Sequence, residues 1–117
     1  MEEKGGKPDS EGRIFWVTRR MIIIKVHKGE KRNIVSICDE NLIGKKFEDK
    51  SFQLDVSESF YKGQPLSEEE ILGVVRNADS LNIVGKDSIR FALKNRLIDE
   101  PNIIKIKKIS HAIAILK

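Results

Sequence analysis

The stretch MIIIKVHKGEKRNIVSICDE, residues 21–40, decides the fold of this 117-residue chain. Met21–His27 is rich in isoleucine and valine, which favour strands, and Asn33–Cys38 alternates between two faces as a strand does. The turn-forming Lys28-Gly29-Glu30 follows the first run. The spacing therefore predicts an antiparallel β-hairpin.

The segments after this hairpin predict a further strand and two helices. Residues 51–56 fit a third strand, with Phe52, Leu54 and Val56 on one face. Ser67 and Glu70 have the spacing of a capping box, so a helix is expected to begin there. Residues 80–84 fit either a short buried strand or the approach to a second helix over residues 86–97.

The end of the chain predicts a second hairpin. Glu100-Pro101-Asn102 ends the second helix, and residues 103–107 and 111–116 are strand-like runs on either side of Lys108-Ile109-Ser110. Residues 21–117 are thus expected to form a small single α+β domain, with N-terminal antiparallel strands, two helices and a C-terminal β-hairpin.

Residues 1–20 differ from the rest of the chain in composition and in hydrophobic pattern. Residues 1–13 are polar, contain glycine and proline, and show no periodicity, which is typical of disorder. Residues 14–17 are apolar. One interpretation is a disordered extension, or the product of a start codon upstream of Met21. The other is that residues 14–17 extend the first strand or pack on the domain.

Composition excludes several classes of protein. The single cysteine excludes an internal disulfide framework and suits a reducing compartment. The aliphatic runs, such as residues 21–24, are too short to span a bilayer, and acidic residues with no apolar segment at the N-terminus argue against a secretory signal. A cytoplasmic protein without a membrane partner is expected. The Lys-, Glu- and Ile-rich composition is typical of thermophile proteins.

Positive charge is concentrated in the last third of the chain. Residues 81–117 carry eight lysines and arginines against three acids, whereas residues 51–80 carry two against six. Cations on the outer side of the second helix and the next strand predict contacts with RNA phosphates. We call this set the basic surface: Lys86, Arg90, Lys94, Arg96, Lys105, Lys107 and Lys108. A solvated, lysine-rich face of a thermophile protein is the alternative interpretation.

Four chemically versatile residues lie near predicted strand ends, and they form a second candidate site. If His27, Cys38, Asp39 and His111 converge, they could form a Cys/His metal site or a Cys–His nucleophile pair. Their spacing contains neither CxxC nor HxxxH, and a structural cysteine with hydrogen-bonded histidines is the alternative. No cofactor is expected.

A third candidate is the Phe60-Tyr61 pair. If exposed, it could act as a recognition loop; alternatively, one ring covers the end of the core. Gly85-Lys86-Asp87-Ser88 lacks the residue order of a phosphate-binding loop and is not taken as one.

Several short segments occur together in an order that resembles the archaeal domain of unknown function 424 family, over Met21 to Leu116. They are Lys25-Val26-His27, residues 37–45 (ICDENLIGK), Val56-Ser57-Glu58 with Tyr61 and Gly63, residues 67–70 (SEEE), residues 82–85 (NIVG) and Ser110-His111-Ala112. Ser110 departs from the proline expected before the histidine.

The resemblance implies an archaeal, cytoplasmic protein of about a hundred residues with no assigned activity. Family members tend to be encoded among translation genes, which favours a role with RNA, the ribosome or a translation-factor partner. It also marks candidate site positions without assigning roles to them: His27, Cys38, Asp39, Asn82, Gly85 and His111.

Three functional hypotheses follow. The first is a non-catalytic RNA-binding or ribosome-associated protein that uses the basic surface. The second is a metal-binding protein or enzyme centred on His27, Cys38, Asp39 and His111. The third is a protein–protein adaptor that uses Phe60-Tyr61 and the acidic first turn of the helix at residues 68–70.

Overall fold

The computed structural model describes residues 21–116, preceded by the backbone of two short strands, β1 (Gly5–Pro8) and β2 (Ile14–Val17). These two strands pair antiparallel with each other. The rest of residues 1–20, and Lys117, lie outside the described residues. The two interpretations of the N-terminal extension therefore stay predictions.

The domain contains a six-stranded sheet in the order β7-β3-β4-β8-β10-β9, and a separate small ribbon of β5 and β6. The remaining strands are β3 (Ile22–Lys28), β4 (Asn33–Asp39), β5 (Lys46–Glu48), β6 (Gln53–Asp55), β7 (Gln64–Pro65), β8 (Ser80–Val84), β9 (Ile103–Ile106) and β10 (Ile109–Ile115). The helices are α1 (Glu58–Tyr61), α2 (Glu68–Val75) and α3 (Lys86–Lys94), with 3-10 turns at Glu40–Leu42 and Glu100–Asn102.

The α+β class and both predicted hairpins are confirmed. β3 pairs antiparallel with β4, and β9 with β10. Ser67 and Glu70 form the predicted capping box at the start of α2. Residues 80–84 are a strand, which lies between β4 and β10 and runs parallel to β4.

Several predicted boundaries were wrong. The short helix α1 was missed, and α3 ends at Lys94 because Arg96 turns the chain into positive φ. The second hairpin turns at Lys107-Lys108, one position earlier than expected, because Ile106 pairs with Ile109. Phe52 is half exposed, since it lies before β6 rather than in the strand that buries Leu54.

The sheet buries an apolar layer on each face. On the helix face, α2 and α3 cover Ile37, Leu81 and Ile83, and Phe91 of α3 is fully buried there. Residues on alternate positions point to the opposite, second face. There a smaller cluster forms between the sheet, the β5–β6 ribbon and α1, and it includes Cys38, Val56, Tyr61 and Val84.

Within residues 21–116, nothing covers part of the second face along β9 and β10. Ile104 is 42% exposed, Ile113 53% and Ile115 68%. None of the helices in the described part of the chain is long and apolar enough to cross a membrane.

Candidate nucleic-acid interface

Four lysines of the basic surface lie at one end of the sheet. The amide of Gly85, just before α3, donates to the carbonyl of Ser110 at 2.9 Å, and Ser110 lies opposite Lys105 in the β9–β10 pair. The turn of the same pair is formed by Lys107 and Lys108. We call Lys86, Lys105, Lys107 and Lys108 the lysine corner. All four are exposed, and none has an ion-pair partner among the described residues.

The backbone of the basic surface is strained at three positions. Lys107 has φ 52° and Lys108 has φ 71°, the left-handed conformation that a type I′ hairpin turn requires at both central positions and that Asn-Gly adopts most readily. Arg96 has φ 59°. Among the described residues these are the three non-glycine residues with positive φ, and all three are basic. Lysine and arginine thus occupy positions whose left-handed backbone conformation would cost less free energy with asparagine or glycine.

Two cations on α3 are paired with carboxylates. Arg90 Nη1 lies 3.2 Å from Asp87 Oδ1, and Lys94 Nζ lies 2.7 Å from Glu68 Oε1 on α2. Arg96 follows the far end of α3, away from Lys86. The seven residues of the predicted basic surface therefore do not form one uniformly positive patch. Within residues 21–116, five of the seven cations have no ion-pair partner, and the lysine corner groups four of them; the fifth is Arg96.

The first amides of α3 already have an anionic partner, the carboxylate of Asp39. Asp39 Oδ2 accepts from the amide of Asp87 at 3.1 Å, and Oδ1 accepts from the amide and hydroxyl of Ser88 at 2.8 and 2.7 Å. Asp39 is 5% exposed. A phosphate at this corner would therefore be bound by lysine side chains rather than by the helix N-terminus.

Gly85 has a structural role beside Asp39. Its φ is +108°, and a Cβ at this position would overlap the Asp39 side chain. Two of the six motif positions, Asp39 and Gly85, thus serve to join β4 and β8 to the start of α3.

Cys38 is a buried structural thiol. It is fully buried, and its Sγ donates to the carbonyl of Asp39 at 3.3 Å. Burial, with a smaller contribution from the Asp39 charge, raises the pKa of Cys38 to about 12. The thiol is therefore protonated at neutral pH and is not an activated nucleophile.

The second candidate cluster does not converge. Cys38 and His111 lie on either side of Val84 in the sheet, and Asp39 points to the helix face, opposite to Cys38. His27 lies four residues along β3 from Ile23, the partner of Cys38. Within residues 21–116, no group of three or more His, Cys, Asp and Glu side chains could hold a metal ion.

Two of the motif residues, Asn82 and His111, contact each other, and Tyr61 contacts the same Asn82 side chain. Tyr61 Oη donates to Asn82 Oδ1 at 2.8 Å, and His111 Nε2 lies 3.0 Å from the same oxygen. Because a carboxamide oxygen only accepts, His111 carries its proton on Nε2. Burial lowers the pKa of His111 and raises that of Tyr61 to about 12.

His27 holds α1 against the sheet. Its Nε2 lies 2.9 Å from the carbonyl oxygen of Phe60, and the two rings stack with centroids 4.2 Å apart. Lys25 Nζ donates to the carbonyl of Ser59 at 2.6 Å. The interpretation of Phe60-Tyr61 as an exposed pair was wrong, because Tyr61 is only 4% exposed. The hydrogen-bonding role of Tyr61 was missed, although the family segments had included it.

Comparison with known proteins gives a family and a fold. A family model described as "Protein of unknown function (DUF424)" matches residues 26–116. An uncharacterized conserved protein from Methanopyrus kandleri has a similar structure, with a TM-score of 0.68 and 20% sequence identity over 82% of this chain and 93% of that chain. No curated protein matches. Since the family model spans most of the domain, this chain belongs to the DUF424 family.

Proposed function

We propose that this protein is a cytoplasmic, non-catalytic RNA-binding protein associated with translation, and that the lysine corner supplies its main phosphate contacts. The observation that carries the proposal is the Lys107-Lys108 turn. It holds two exposed cations in a conformation that Asn-Gly would adopt at lower cost.

The charge arrangement favours phosphate binding at this corner over the rest of the basic surface. Each lysine that neutralises a phosphate releases condensed counterions, which stabilises the complex most at low salt. Within residues 21–116, Lys86, Lys105, Lys107 and Lys108 have no carboxylate to displace, whereas Arg90 and Lys94 are paired with Asp87 and Glu68. The β9–β10 hairpin, residues 103–115, contains no Phe, Tyr or Trp, which favours recognition of RNA shape and backbone.

The turn offers a variant that removes charge without threatening the fold. Lys107→Asn with Lys108→Gly replaces both cations by the pair that this turn type prefers, so the variant should be at least as stable as the wild type. The matched control is Lys28→Gln with Lys31→Gln, which removes the same charge from exposed positions at the opposite end of the sheet.

The binding assay is fluorescence anisotropy of a labelled RNA oligonucleotide over a series of salt concentrations. For the turn variant, the plot of log affinity against log salt should flatten by about 1.4 units on single strands and about 1.8 on duplexes, because two phosphate contacts are lost. The control should keep most of the wild-type slope. Equal loss in both variants, or no RNA binding by the wild type, would contradict the proposal.

Association with translation is tested separately in cell lysate. On a sucrose gradient, the wild type should migrate with ribosomal subunits at low salt and leave them at high salt. The turn variant should migrate as a free small protein at a lower salt concentration than the control variant does. Migration of the wild type as a free protein at every salt concentration would remove the ribosome from the proposal.

A further inference from the structure

An open strand edge lies beside the lysine corner. β9 is the last strand of the six-stranded sheet, and no strand of the described residues pairs with its outer side. Ser110 directs its carbonyl to the amide of Gly85, so Lys105, which lies opposite Ser110, directs its own amide and carbonyl away from β10. The carbonyl of Ile103 points the same way, whereas the Ile103 amide donates to the carbonyl of Glu100. Open backbone groups of this kind are a template for another strand.

We propose that β9 pairs antiparallel with β9 of a second copy of this chain, around a two-fold axis at Ile104. The pairing would join two six-stranded sheets edge to edge into one continuous sheet. It depends on the backbone of β9 and on the side chains next to it, and not on the proposed RNA-binding function.

The alternation of the strand selects one register. Around a two-fold axis perpendicular to the sheet, both copies keep the same face towards the same side, so only residues of the same face can lie opposite each other. With Ile104 on the axis, Lys105 of each copy lies opposite the partner's Ile103, and its amide can donate to that carbonyl. Moving the axis to Lys105 would place two lysines directly opposite each other, which destabilises a strand pair.

The side chains of β9 suit this register. Ile104 is 42% exposed and would contact the partner's Ile104, which makes an apolar cross-strand pair on the second face. On the helix face, the aliphatic part of Lys105 would cover the partner's Ile103, which is half-buried in one copy. The junction would therefore bury apolar surface on both faces without burying a charge.

Charge complementarity selects a second copy over an unrelated peptide. In this register the Lys107-Lys108 turn extends to the level of the partner's Glu100–Asn102 turn, which comes just before β9. Asp99 and Glu100 are exposed there. The two-fold axis repeats this contact, so a basic turn and an acidic turn would meet at both ends of the junction. An unrelated peptide could bond to the same backbone groups, but this chain supplies the acidic turn and the isoleucine in the matching register.

The contact is small, so the dimer should be weak. β9 has four residues, and exposed ion pairs add little affinity although they disfavour wrong registers. We expect a dissociation constant of about 0.1–1 mM at low salt, which is typical of contacts below the standard interface size. At low protein concentration the chain is then a monomer, and the lysine corner is open to RNA.

Light scattering of the full chain without RNA, at concentrations on both sides of this value, measures the dimer. Ile104→Lys is the main variant, because it places two like charges on the axis. Ile113→Lys is its matched control, since it makes the same change on the same face one strand away from the edge, at a side chain that is 53% exposed. The wild type and the control should dimerise alike, whereas Ile104→Lys should raise the dissociation constant at least about tenfold. Circular dichroism establishes that each variant is folded.

A charge exchange tests the register by the same assay. Lys108→Glu and Glu100→Lys should each raise the dissociation constant at least about threefold, because like charges would then meet at both ends of the junction. The double variant Lys108→Glu with Glu100→Lys should dimerise as the wild type does, since it restores opposite charges.

Hydrogen exchange locates the contact within β9. The Lys105 amide should exchange more slowly as the protein concentration rises, because it gains an acceptor in the dimer. The Ile104 amide, which points to His111 inside the hairpin, should exchange at the same rate at every concentration.

Each remaining outcome overturns a defined part of the argument. A monomer at every concentration would refute the dimer and leave the RNA-binding proposal standing. Equal loss of the dimer in Ile113→Lys would assign the contact to the open sheet face and refute the edge pairing. A double variant as weak as the single variants, or exchange of the Lys105 amide that does not depend on concentration, would refute the register.

Discussion

Replacing Asp39 with alanine tests the role of this motif residue as the partner of the α3 N-terminus. The carboxylate is 5% exposed and accepts three hydrogen bonds, from the amides of Asp87 and Ser88 and from the Ser88 hydroxyl, at 3.1, 2.8 and 2.7 Å. Ser88 is fully buried. Alanine would therefore leave buried donors that water cannot easily reach.

These contacts determine how much of the free energy of unfolding the Asp39→Ala variant loses. Hydrogen bonds to charged groups contribute about 1.5–3 kcal/mol each, but the three share one carboxylate and are not additive. Removing the buried charge also removes its desolvation penalty, which offsets part of the loss. We expect the free energy of unfolding to fall by about 3–4 kcal/mol, a large share of the ~5–15 kcal/mol typical of a domain.

Urea denaturation followed by far-ultraviolet circular dichroism measures this change. Asp49→Ala is the matched control, since Asp49 Oδ1 also accepts from two backbone amides, those of Ser51 and Phe52, but in an exposed turn. The control should lose no more than about 1 kcal/mol, because water replaces the lost acceptor. An Asp39→Ala variant within about 1 kcal/mol of the wild type would refute the reasoning.

Three further predictions concern neighbouring motif residues. Gly85→Ala should unfold the domain or cost more than about 3 kcal/mol by the same assay, because positive φ and overlap with Asp39 act together; a variant of wild-type stability would contradict this. Cys38 should resist iodoacetamide at pH 8 and react once the chain is unfolded in urea, since burial raises its pKa to about 12; rapid labelling of the folded protein would count against it. Because burial lowers the pKa of His111, the unfolded chain binds this proton more readily, so the free energy of unfolding should decrease as pH falls below about 6.5. His111→Gln should weaken that dependence, and an unchanged pH profile would show that His111 does not cause it.

Local signals accounted for most of the secondary structure. The Ser67–Glu70 capping box and the runs of β3, β4, β9 and β10 are patterns within a few residues, and each element lies within two residues of its predicted bounds. Residues 80–84 were ambiguous because a short apolar run fits a strand or a helix equally well. In the structure these residues form strand β8, because they pair with β4 on one side and with β10 on the other.

The turn positions were harder to predict. Lys107-Lys108 lacks the asparagine and glycine that mark a two-residue hairpin turn, so the sequence placed the turn one residue too late. Similarly, α1 spans only four residues and has little periodicity, although Ser57 accepts from the amide of Phe60 as a helix cap. Local sequence patterns do not predict a turn whose residues disfavour the turn conformation. They also do not predict a helix that is too short to show a repeating apolar pattern.

By itself, the sequence determined the α+β class, the two hairpins, the capped second helix and the concentration of cations near the C-terminus, because these depend on neighbours in the chain. Only the tertiary structure decided which functional groups meet. Asp39 and Ser88 are 49 residues apart, and Lys94 is paired with Glu68 across 26. Cys38 and Asp39 are adjacent in sequence yet face opposite sides of the sheet, because successive strand residues alternate. The register of β8 and β10 brings Asn82 to His111, and that register is set by packing rather than by any local motif.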